Sequence, residues 1–240
     1  MITWTPKAAL LSALGLVVAT AAMAGVPNAT NSSLGGTHLT LTGRFESSGS
    51  GATPQPLAGG FEAQSITVRD AANNPVANSV VVLNFNACYN GVGPKLSANQ
   101  PTGMTLNPGA RSISATTNAL GVVVFKICGA SNNTVLNGPE PVNCVSVTAD
   151  GVPLGSFSCA TFDENGNFSP GPDGINGVDT ALYAADRNAI QPANYRNRSD
   201  FNKDGAVSGP DTALFATCRF GTYGGYPGVT EMGSVGPFVP

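Results

Sequence analysis

The sequence predicts a mainly β protein, an antiparallel β-sandwich followed by a small α module, and three observations carry that prediction. Between residues 37 and 161, short runs rich in β-branched residues recur at regular intervals, bounded by Gly, Asn, Asp and Pro. This is the pattern of strands joined by tight turns. From Phe162 onward the composition shifts to Asp, Asn and Gly. Within that stretch Asp179, Thr180, Ala181 and Leu182 return 32 residues later as Asp211, Thr212, Ala213 and Leu214, so two similar units follow one another.

The chain opens with Lys7 ahead of an apolar run from Ala8 to Ala24, closing on Ala22, Met23 and Ala24. A basic start, an apolar core and a small-x-small ending predict a secretory signal peptide over residues 1–24, with Gly25 first in the mature, secreted or cell-surface chain. Ser12, Gly15 and Thr20 interrupt the run, which is short for a bilayer span. No later segment is apolar enough to cross a membrane, so no span is expected in the mature chain. Residues 25–36 are Asn, Thr, Ser and Gly without a period and read as a flexible leader.

His38, Leu39, Thr40, Leu41 and Thr42 alternate at period two and begin the strands of a domain over 37–161. The runs at 66–68, 80–85, 112–114, 122–127, 145–147 and 154–159 bring the total to about seven. Asp150 and Gly151 between the last two are a hairpin signal. Residues 162–221 form the α module, and 222–240 a tail rich in Gly and Pro.

Composition excludes several functions. Charged residues are only 10% of the chain and the net charge is −3, so no electrostatic footprint for nucleic acid exists. A Ser-His-Asp or Cys-His site would have to use the lone histidine, His38, which is expected as a surface imidazole at a strand start. A glycosidase needs two facing carboxylates. The domain over 37–161 offers Glu46, Glu62, Asp70, Glu140 and Asp150, each in or beside a turn signal and expected to be solvated. Tyr89 is its only Tyr or Trp, a poor aromatic platform for polysaccharide. The chain is therefore not expected to be an enzyme.

Five cysteines in an exported chain permit disulfides. Pairing Cys88 with Cys128, and Cys144 with Cys159, ties strand ends and one hairpin and leaves Cys218 free. It is one of three connectivities open to those four. No Cys-x-x-Cys pair is present to suggest zinc.

The most informative stretch is residues 200–211. Asp200, Asn202, Asp204, Ser208 and Asp211 place oxygen-bearing side chains at loop positions 1, 3, 5, 9 and 12, with Gly205 at position 6. An EF-hand loop wraps a calcium ion with this spacing. Ala206 offers its backbone carbonyl, Ser208 a hydroxyl or a bridging water, and Asp211 the closing carboxylate, where Glu is usual. Val207 is the apolar pin that holds the loop to a neighbour. In the first unit Asp163, Asn165 and Asn167 supply positions 1, 3 and 5, but Asp179 lies 16 residues after Asp163 instead of 11. The extra segment, 168–172, holds two prolines and either loops out or remodels the site around Asp173. Leu182, Tyr183, Leu214 and Phe215 are the expected shared apolar core.

Two resemblances follow. Asp70, Asn73, Asn74, Pro75 and Val76 between two strands, with Thr116, Thr117, Asn118, Gly121 and Val122 at a later turn, resemble the marker turns of the bacterial immunoglobulin-like domains of invasin and intimin. That likeness covers residues 37–161 and implies an immunoglobulin-like sandwich. Residues 162–221 resemble the dockerin family, whose two calcium loop–helix repeats dock to a cohesin domain. The family's recognition positions fall on Gly177, Val178, Gly209 and Pro210. Standalone dockerin-like repeats also accompany immunoglobulin-like domains in exported proteins without an enzyme. Together the resemblances imply a non-enzymatic interaction protein whose partner is a cohesin-like or other surface protein. The competing expectation is an accessory subunit of an extracellular polysaccharide-degrading assembly, with a carbohydrate-binding sandwich or a glycoside hydrolase.

Overall fold

The computed structural model describes residues 25–42, 44–45, 52–53, 60–91, 93–98, 100–131, 142–165, 175, 177–189, 193, 195–220 and 238–239. The expected signal peptide, Glu46, Glu140, Asn167, Asp173 and most of the tail lie outside them, as does the side chain of Cys218.

In chain order the elements are β1 (Ser33–Leu34), β2 (His38–Leu41), β3 (Arg44–Phe45), β4 (Ala52–Thr53), β5 (Gln64–Thr67), β6 (Val80–Asn84), β7 (Lys95–Ser97), β8 (Thr105–Asn107), β9 (Ser112–Thr116), β10 (Val122–Phe125), β11 (Gly129–Ala130), β12 (Val145–Ala149), β13 (Val152–Thr161), α1 (Gly177–Asn188), α2 (Gly209–Phe220) and β14 (Phe238–Val239). The protein is thus mainly β with a small α part. A six-stranded sheet runs β2-β13-β12-β6-β9-β8, and a three-stranded sheet runs β1-β5-β10. Successive strand residues point to opposite faces. Val81 and Leu83 of β6 are accordingly buried while Val80 is exposed. Val81, Leu83, Ile113, Val145, Val147 and Phe157 from the larger sheet share one core with Ile66, Val123 and Phe125 from the smaller. Two smaller pairings, β11-β7-β14 and β3-β4, complete the sheets among the described residues.

The hairpin at Asp150 and Gly151 is a two-residue turn with both φ angles positive, +47° and +83°, which matches the twist of the flanking β12 and β13. The Asp150 carboxylate also accepts from the Val80 amide at 2.8 Å. Between β9 and β10, Gly121 has φ +71°, and a Cβ there would lie 2.5 Å from the Val68 carbonyl oxygen. Any side chain would push β5 away from that turn.

Several expectations need correction. The large sheet is not wholly antiparallel, since β13 pairs in parallel with β2, Ser158 to His38 through Thr161 to Leu41. The partners are 120 residues apart (158 − 38), so no short hairpin constrains their direction. Residues 25–36 are not a structureless leader, because β1 pairs with β5 and Asn31 donates to the Asp70 and Ala71 carbonyls. His38 is buried instead of solvated, bonding through Nε2 to Thr40 Oγ1 at 2.9 Å. Glu62 is buried as well, facing Lys126 at 3.4 Å.

The disulfide joins Cys88 to Cys144, not to Cys128. β6 and β12 are antiparallel neighbours with Asn84 opposite Ser146, so the end of one strand meets the start of the other. Cys144 is one step beyond the Val145 to Phe157 pair, opposite Ser158 and out of step with Cys159. Cys128 follows β10 of the smaller sheet. Cys128 and Cys159 are both buried, and burial pushes the Cys128 thiol up to about 12.

The α part does not stand apart from the sheets. Ala160 and Phe162, at and just beyond the end of β13, join Ile175, Tyr183, Phe201, Val207 and Phe215 in a second core, with Phe61 and Leu214 against it. Four rings stack there: Phe162 on Phe201 at 4.2 Å, Tyr183 on Phe215 at 4.5 Å, and Tyr183 on Phe201 at 5.7 Å. Tyr183 and Phe215 fill the expected core. Leu182 does not, and Phe162 and Phe201 take most of its place.

Candidate metal centre

α1 and α2 each begin and end at positions offset by 32 residues (209 − 177 and 220 − 188), the offset of the sequence repeat. Ile175 and Val207 also differ by 32 and both belong to the second core, so the apolar pins of the two loops share it. An outer groove of about 260 Å³ between the helices is lined by Thr180, Tyr183 and Ala184 and their repeat counterparts Thr212, Phe215 and Ala216. Tyr183 bonds to Thr212 across the pair at 2.9 Å.

The second loop is wound around its own oxygens. Asp200 Oδ1 accepts from the Lys203 amide at 2.7 Å, and Oδ2 from the Gly205 amide at 3.0 Å and from the Tyr195 hydroxyl. Asn202 Oδ1 accepts from the Asp204 amide and Asp204 Oδ1 from the Ala206 amide, each at 3.0 Å. Each side chain thereby turns the backbone that follows it. Gly205 has φ +89°, as position 6 demands, and Lys203 at position 4 is also left-handed, φ +64°.

Asp211 closes the loop from the first turn of α2, where a carboxylate is favoured by the helix dipole. Its Oδ1 accepts from the Phe201 amide at 2.7 Å and the Asn202 amide at 3.1 Å, and its Oδ2 from the Ser208 amide at 2.9 Å. Burial, with the Asp200 charge beside it, raises the Asp211 carboxyl above its ordinary range against those N–H donors.

Oxygens of Asp200, Asp204 and Asp211 lie within 4.8 Å of one another. Among the described residues no ion pair reaches any of the three. Three converging carboxylates with no cationic side chain, flanked by the oxygens of Asn202 and Ser208, are an all-oxygen donor set suited to a hard divalent cation. Asp200 Oδ1 and both Asp204 oxygens accept one hydrogen bond each and keep a lone pair for a cation, whereas Asp200 Oδ2 and Asp211 Oδ1 already accept two. The residues fit the ion.

The first unit is arranged differently. Asp179 Oδ1 accepts from the Asn165 amide at 2.9 Å, repeating the role of Asp211. Asp163, Asn165 and Asp179 are all buried, while Asn167 and Asp173 fall outside the described residues. What the sequence did not reveal is a buried ion cluster behind this loop. Arg198 Nε lies 2.9 Å from Glu164 Oε2 and 2.7 Å from Asp186 Oδ2, and Nη2 reaches Asp186 Oδ1 at 3.1 Å. Ser199 Oγ lies 2.7 Å from Glu164 Oε1 and 2.8 Å from Asp186 Oδ2, with one proton to donate between them, and Arg196 adds a contact to Asp186 at 3.5 Å. One signal was present: Asp179, Tyr183 and Asp186 are spaced i, i+4 and i+7 on the buried face of α1.

No protein-family model, curated protein or solved structure significantly matches this chain.

Proposed function

We propose that this protein is a non-enzymatic, secreted or surface-associated interaction protein. In this reading the β part is an immunoglobulin-like sandwich that acts as a spacer or binding module. The α part is a dockerin-like module that calcium stabilises and that docks to a cohesin-like or other surface protein. The observation that carries the reading is the second loop, with three converging carboxylates that no ion pair reaches among the described residues. Asp200, Asn202, Asp204 and Asp211 hold the ion through side-chain oxygens, Ala206 through its carbonyl, and Ser208 directly or through water. The ion supplies the positive charge that those carboxylates otherwise lack. Asp200 and Asp211 meanwhile organise the loop by accepting its amides. The groove between α1 and α2 supports docking, since three matching positions of each unit line it, with Arg187 and Asn188 added from α1. At the helix starts Gly177, Val178, Gly209 and Pro210 are exposed and available to a partner.

The test is calorimetric titration of the full chain with calcium, and binding to a panel of cohesin domains in calcium and in chelator. Micromolar or tighter calcium binding, with magnesium much weaker, supports the site. Cohesin capture that disappears in chelator supports docking. Absence of calcium binding overturns the site assignment, and calcium binding without capture by any cohesin removes the cohesin class of partner.

A further inference from the structure

We infer that Tyr195 and Asn197, both outside the twelve-residue loop, are positioning residues of the cation site, and that Asn197 ties its occupancy to β13 of the large sheet. The inference rests on the calcium reading above. The buried Tyr195 hydroxyl donates to Asp200 Oδ2, so it fixes the orientation of the carboxylate at loop position 1. Asn197 is buried between two partners. Its Oδ1 accepts from Lys203 Nζ at loop position 4, and its Nδ2 donates to the Cys159 carbonyl of β13 at 3.4 Å. The Lys203 amide donates in turn to Asp200 Oδ1 at 2.7 Å. A continuous path of hydrogen bonds therefore runs from β13 through Asn197 and Lys203 to the first ligand. β2, the parallel neighbour of β13, is close enough for the Lys203 charge to act on His38.

Groups that orient a ligand from behind typically change metal affinity by about 10–100-fold when removed. If the seat on β13 helps the loop bind, then binding must strengthen the seat by the same factor, because coupling between sites is reciprocal. Calcium then stiffens the junction between the sheets and the α part.

The experiment uses the full chain with calcium alone as the ligand. Dissociation constants come from calorimetry, and hydrogen exchange of residues 158–161 is followed in calcium and in chelator. Tyr195→Phe should weaken calcium about 10-fold while the circular dichroism at saturating calcium stays that of the parent. Asn197→Ala should weaken binding and abolish the calcium-dependent protection of 158–161. Asn197→Asp keeps an acceptor for Lys203 but loses the donor to Cys159, so it should retain more affinity than Asn197→Ala and still lose the protection. Parent affinity in both Tyr195→Phe and Asn197→Ala, or exchange at 158–161 that calcium leaves unchanged in the parent, overturns the inference while the calcium site stands. A parent chain that binds no calcium removes the site reading and this inference with it.

Discussion

The two loop–helix units share a helix length, a repeat offset and an apolar core, yet they manage negative charge in opposite ways. In the second unit the buried Asp200 and Asp211 and the exposed Asp204 converge with amide and hydroxyl donors around them, and among the described residues no guanidinium or ammonium is paired to them. Behind the first, Glu164 and Asp186 are matched by Arg198, with Arg196 and Ser199 completing the cluster. Carboxylates removed from water need a positive partner or they take up protons. Arg198 and Arg196, from the segment just ahead of the second loop, supply that partner for the first cluster, and under the proposed reading the second loop takes its cation from solution. On that reading a repeat keeps its fold while one copy comes to depend on a ligand.

The largest expected effect breaks the internal pairing. Arg198→Met leaves two buried carboxylates facing each other, and losing one partner of a buried ion pair typically costs about 3–5 kcal/mol. Urea denaturation in saturating calcium should show that loss undiminished. Recovery of stability by calcium would mean that this cluster also accepts an ion, and the contrast between the units would fail.

Next is Asp200→Ala. With free calcium at about 100 times the dissociation constant, binding contributes roughly 2.7 kcal/mol to the folded state. Most of that calcium-dependent increment should vanish in Asp200→Ala and largely survive in Asp163→Ala, compared by melting in calcium and in chelator. Equal losses in the two variants would place an ion in both loops.

A smaller effect reads the junction through pH. Burial, then the Lys203 charge, holds the His38 imidazole well below its ordinary value of 6.5. As pH falls below about 6.5, the unfolded chain takes up a proton that the folded chain refuses, so stability declines until the depressed folded value is reached. The slope is at most about 1.4 kcal/mol per pH unit. His38→Gln should flatten that segment of a melting-temperature profile recorded in saturating calcium. An unchanged profile would show that His38 is not held neutral.

Smallest is Tyr183→Phe, which removes the hydroxyl bonded to Thr212 while leaving the stacked ring in place. A loss of about 1 kcal/mol is expected in chemical denaturation. A much larger loss would mean that this one bond, more than the shared ring stack, holds the units together.

The residues themselves determined what depends on short spacing. The alternation of apolar residues located the seven expected strands, Asp150 and Gly151 their hairpin, and the oxygens of 200–211 a loop whose left-handed Gly205 falls where the spacing required. Each signal is local, because neighbouring residues share one backbone and its sterics. Tertiary structure alone decided which distant groups meet. Cys88 joins Cys144 because β6 and β12 became neighbours. Phe61 and Ala160 of the β part entered the core of the α part, and Arg198 found Glu164 and Asp186. His38 is buried although its strand alternates in sequence, because all four residues of β2 are buried beside β13. A side chain's spacing specifies the face it presents, whereas its partner is set by the strand order and packing that only the folded chain creates.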